Sequence, residues 1–72
     1  MQNLNSYINA LNKFYTSLAY WRYSKDTKSD DLDNKKEELK NNAKSLKNEM
    51  ENLPPDMIRP QVVDHIEKAL SL

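Results

Sequence analysis

Leu4, Ile8, Leu11, Tyr15 and Leu18 follow one another at steps of 4, 3, 4 and 3 residues. An α-helix brings residues so spaced onto one face, and sustained at this length the pattern is a heptad seam. Tyr7, Phe14 and Trp21 recur every seven residues along its flank. Together the rows make a broad apolar face, wider than a bare two-stranded coiled coil needs. Asn5, Asn9, Asn12, Lys13 and Thr16 fall on the opposite side. With Asn3 or Asn5 as its cap, a first helix is predicted over about residues 3–23.

A second seam runs through Leu32, Lys36, Leu39, Ala43, Leu46, Met50 and Leu53, again at steps of 4 and 3. It predicts a second helix over about residues 30–53. This stripe is narrow, interrupted by Lys36 and flanked by Lys, Glu and Asn, so it resembles a coiled-coil seam. Lys36 can pack its stem there and keep its charge in water. Between the two helices, "SKDTKSD" at 24–30 has no period and reads as a loop. Ser29 is the expected cap of the second helix, and Asp30, Asp31 and Asp33 suit the positive end of its dipole. The chain has no glycine, which disfavours glycine-capped helix ends and tight hairpin turns.

"LPPD" at 53–56 stops the second helix, because proline has no amide proton and restricts the residue before it. Pro55 and Asp56 can start a single turn through Met57 and Ile58. Pro60 fits the first turn of a third helix over about residues 60–71. Val62, Val63, Ile66, Ala69 and Leu70 share one face of it, and Asp64, Glu67 and Ser71 the other. The expected fold is all-α: an antiparallel helical hairpin with a short third helix, one domain over residues 1–72. This is a small three-helix bundle, with an oligomeric or coiled-coil-like form left open. A core this small contributes only about 3–5 kcal/mol, so helix packing or self-association is the expected supplement.

Composition narrows the function. Without cysteine there are no disulfides or thiolate metal sites, and one histidine makes no metal site alone. No cofactor or metal is expected. Eleven basic and eleven acidic residues cancel, so there is no general attraction to nucleic acid or to a membrane surface. Lys13 and Arg22, the two cations of the first 23 residues, make a poor footprint for DNA. No apolar run approaches a membrane span, and the first residues are not expected to act as a secretory signal. The expected setting is intracellular, cytoplasmic or nuclear. Glu37, Glu38, Glu49 and Glu51 read as a solvated helix face, and His65 as a histidine at the edge of an apolar face. No enzyme activity is expected.

Protein binding uses the most residues. The face of the first helix is too broad for the second helix, and the third is too short to cover the rest. Tyr7, Leu11, Phe14, Leu18, Tyr20, Trp21 and Tyr23 are therefore the expected partner-binding residues, with Leu39, Leu46 and Met50 as a coiled-coil seam. Within "YWRY", Arg22 falls in line with the seam and is expected to pack its stem inward. Trp21 lies on the flank, and Tyr20 and Tyr23 point to solvent. The expected function is a non-catalytic interaction module, a homo-oligomer or a small subunit or adaptor of a larger assembly. The alternative is a small regulatory protein that inhibits a protein partner, or modulates transcription with weak DNA contact.

Overall fold

Alternating large and small side chains decide how the first two helices meet. The computed structural model describes residues 4–72, with α1 at Asn5–Asp26, α2 at Leu32–Met50 and α3 at Pro60–Leu70. The row of α1 that faces α2 is Tyr7, Ala10, Phe14, Ser17, Trp21 and Ser24: an aromatic, then a small residue, three times over. Ala10, Phe14, Ser17 and Ser24 are buried, and Tyr7 and Trp21 are half-buried. The small residues let the backbones approach, and the aromatics fill the space on either side of each approach.

This corrects the expected seam. Leu4, Leu11, Tyr15 and Leu18 are half-buried and Ile8 is exposed, so they form a second row, turned away from α2. The two rows satisfy the same 3–4 spacing. Hydropathy favours the row of leucines, whereas close packing selects the row that carries serine and alanine. Arg22, expected to reach inward, is exposed, because its four-residue step from Leu18 follows the outer row.

On α2, Leu39, Ala43, Leu46 and Met50 are buried, and Leu53 closes the stripe just beyond the helix. Phe14, Leu39 and Leu46 are the largest fully buried side chains. α1 and α2 run antiparallel, as shown by Lys35 meeting Tyr20 while Asn42 meets Ser17. α3 returns along α2 and adds Val62, Ile66 and Ala69 to the core. Its backbone lies close to α2 only: no Cα of α1 comes within 8 Å of one in α3. The molecule is consequently long and thin, 44 × 20 × 14 Å.

α1 outlasts its expected end by about one turn, through Ser24, Lys25 and Asp26. Ser24 is buried in this extra turn, and the Thr27 hydroxyl donates to the Tyr23 carbonyl at 2.9 Å. The helix then closes without glycine. Lys28 takes the left-handed conformation (φ 54°), its amide donates to the Lys25 carbonyl, and the Ser29 amide donates to the Ser24 carbonyl. These are the two hydrogen bonds of a Schellman motif. With Ser29 taken up there, Asp31 occupies the position before α2, and its carboxylate accepts the Ser29 hydroxyl.

At the start of α1, Leu4 holds the capping position without a side-chain hydrogen bond and Asn5 is already helical. The other expected cap, Asn3, lies outside the described residues. α2 ends at Met50, and Glu51 and Asn52 form a turn ahead of the prolines. A 3-10 turn at Pro55–Met57 leads to Pro60, which opens α3 at its first position.

Candidate functional site

Open grooves run along the outside of the bundle, and each is built by helix packing. One lies between α1 and the start of α3, about 450 Å³, lined by Tyr7, Leu11, Tyr15, Met57, Arg59, Gln61 and Val62. It exists because α3 stands off from α1. Across the gap, Tyr15 and His65 meet in a hydrogen bond of 2.9 Å between the Tyr15 hydroxyl and His65 Nδ1. The rings also stand edge to face, with centroids 5.7 Å apart. Burial, with Tyr7 adding to it, raises the Tyr15 phenol above its usual pKa of 10.0. At neutral pH Tyr15 is therefore a neutral hydrogen-bonding group, and it donates to Nδ1 when the imidazole proton is on Nε2. Sequence reasoning placed His65 at an apolar edge but did not pair it with Tyr15, 50 residues away.

A second groove lies between the end of α2 and the outer side of α3. It is about 190 Å³ and apolar, lined by Met50, Ile58, Val63, Ile66 and Leu70, with Lys47, Glu51 and Glu67 at its rim. That volume suits one large side chain and is smaller than a typical small-molecule site. The third groove, on the other side of the hairpin, is lined mainly by residues of polar type, where Tyr20 lies beside Lys13, Thr16, Ser17, Glu38 and Asn42. Here the Asn42 amide donates to the Ser17 hydroxyl, which itself donates to the Lys13 carbonyl at 2.8 Å. Every partner in this chain is satisfied, so it reads as a structural lock between α1 and α2. Ser17 and Asn42 were not singled out from sequence. The large–small alternation along α1 is the signal that points to Ser17.

The expected partner-binding residues separate into three groups. Phe14 is fully buried and packs edge to face on Tyr15 at 5.1 Å. Tyr7, Leu11, Leu18 and Trp21 are half-buried along the α1 surface. Tyr20 and Tyr23 are exposed, at 58% and 69%. Lys35 sits 5.5 Å from the Tyr20 ring, and Lys25 sits 5.1 Å from the Trp21 ring. Such cation–π contacts add about 0.5–1 kcal/mol each at exposed sites. Leu39, Leu46 and Met50 are buried within the chain's own core, where α1 and α3 complete the seam they form.

Among the described residues, no three histidine, cysteine, aspartate or glutamate side chains gather as a metal site would require. No described helix is long and apolar enough to cross a membrane. Comparison with known proteins gives no match to a family model, a curated protein or a solved structure.

Proposed function

We propose that this chain is a non-catalytic protein–protein interaction module that works by helix packing. It would act with copies of itself or as a small subunit or adaptor of a larger assembly. One observation carries the reading: the outer row of α1, Leu4, Ile8, Leu11, Tyr15 and Leu18, is longer than the helix that stands beside it. Ile8 remains 46% exposed, and Leu11, Tyr15, Leu18 and Trp21 are only half-buried. A continuous apolar strip left open on a small domain commonly marks an interface, and tryptophan and tyrosine are frequent anchors.

Light scattering after size exclusion, over a wide concentration range, tests the self-association branch. A parallel affinity purification tests the partner branch. In both, wild type is compared with Leu18→Glu, which places a charge on the open strip without entering the core. The expected result is a mass that rises with concentration, or one stoichiometric partner, lost in Leu18→Glu. A mass of one chain at every concentration, together with partner recovery indifferent to Leu18→Glu, would overturn the reading.

A further inference from the structure

The groove between α1 and the start of α3 joins an apolar and aromatic lining to a single positive charge. Tyr7, Leu11 and Tyr15 line it from α1, and Met57 and Val62 from the other side. Its volume, about 450 Å³, falls within the range of small-molecule sites. Among the described residues, Arg59 is the one charged member of the lining. Its guanidinium makes no ion pair or hydrogen bond with them. The acids nearest in sequence do not answer it: Asp56 lies outside the lining, and Asp64 pairs with Lys68 at 3.1 Å. Arg59 also holds the capping position of α3, beside the positive end of the helix dipole, where a cation is disfavoured. α3 offers no acid in its first turn and no side-chain cap to offset it. The Tyr15 hydroxyl is taken by His65, whereas the Tyr7 hydroxyl and the Gln61 side-chain amide make no hydrogen bond among the described residues. The apolar groove on the outer side of α3 differs, since Glu51 and Glu67 stand with Lys47 at its rim and select no sign.

We propose that this groove binds a small aryl carboxylate, an aromatic body ending in one carboxylate. The carboxylate pairs with the Arg59 guanidinium, whose planar fork matches its two oxygens. The ring packs among Tyr7, Leu11, Tyr15 and Val62. Aromatic neighbours and the Met57 thioether favour a ring over a flexible chain. The Tyr7 hydroxyl and the Gln61 amide are the further donors at the site. A neutral ligand of the same shape gains the apolar contacts and leaves Arg59 unanswered. The proposal goes beyond the interaction-module reading and does not depend on it, because one chain forms the whole site.

Two-dimensional amide NMR tests it, with 2-naphthoate as the probe, uncharged 2-naphthamide as its isostere and octanoate as the flexible acid. The expected result is saturable shifts of the Leu11, Tyr15, Gln61 and Val62 amides. 2-Naphthoate should bind at least about tenfold more tightly than 2-naphthamide, and more tightly than octanoate. In Arg59→Gln the preference for the acid over the amide should disappear. Arg59 is exposed, so this variant should keep its helices by circular dichroism. Without ligand it should melt no lower than wild type, because the change takes a cation away from a helix N-terminus. Tyr7→Ala should weaken both naphthyl ligands alike, since it removes a wall and not the charge.

Equal affinity for acid and amide, a preference that survives Arg59→Gln, or tighter binding of octanoate would overturn the proposal. So would shifts centred on Met50, Ile58 and Leu70 in the other apolar groove, or no saturation at millimolar ligand. The association test with Leu18→Glu reads a different property, so either proposal can fail while the other stands.

Discussion

The two ends of this molecule are built differently. At one end three helices surround Phe14, Leu46, Met50, Val62 and Ile66, and all five are buried. At the other, toward the hairpin loop, α1 and α2 have only each other, and Leu18, Trp21 and Leu32 stay half-buried. A two-helix ribbon cannot enclose a side chain as wide as tryptophan, because each helix shields it from one direction only. The three-helix end accordingly holds most of the buried core, and the two-helix end contributes less to it. Hydrogen exchange should show the same division, with the slowest amides in α2 from Leu39 to Met50.

The sharpest way to break this contrast is to truncate one aromatic at each end. Phe14→Ala should cost about 3–5 kcal/mol, comparable with the whole stability of a domain this size, and leave the chain largely unfolded by circular dichroism. Trp21→Ala should cost about 1–1.5 kcal/mol, since only part of the ring leaves water on folding. If urea melts gave equal losses for the two variants, the ends would not differ as described.

Ser17→Leu tests the inner row of α1. Sequence hydropathy favours this change, but the space is occupied by α2, so overpacking should destabilise by about 1–3 kcal/mol in a urea melt. The lost Asn42 hydrogen bond adds to that cost. A stabilised Ser17→Leu variant would mean that the helices do not approach through their small residues.

Lys28→Gly acts on the two-helix end. Lysine in the left-handed region costs on the order of 1 kcal/mol that glycine avoids, so this substitution should raise the melting temperature while leaving the emission of Trp21 unchanged.

The smallest effect belongs to Tyr15→Phe, which removes the hydrogen bond from α1 to α3 and should cost about 0.5–1.5 kcal/mol. It also carries a pH signature. The folded state holds the Tyr15 proton more tightly than the unfolded state, so its contribution is complete below the usual phenol pKa of 10.0 and is lost as pH rises through the higher folded value. Stability measured by urea melts from pH 8 to 11 should therefore fall less steeply in Tyr15→Phe than in wild type.

Much of this fold is legible in the residues alone. The 4–3 steps, the prolines at 54, 55 and 60 and the polar stretch after Tyr23 determine three helices, their order and the turn at Pro55–Met57. These are local matters: periodicity, missing amide protons and turn chemistry act within a few residues. The exposure of Tyr20 and Tyr23 follows in the same way from their angle on the helix. What the tertiary structure alone decided is which face of α1 turns inward. Leu4–Leu18 and Tyr7–Ser24 are both heptad rows, and choosing between them depends on the shape of α2, not on either row's hydropathy. The burial of Ser24 in the extra turn of α1 and the Tyr15–His65 bridge follow from that choice, since each depends on residues that are distant in sequence.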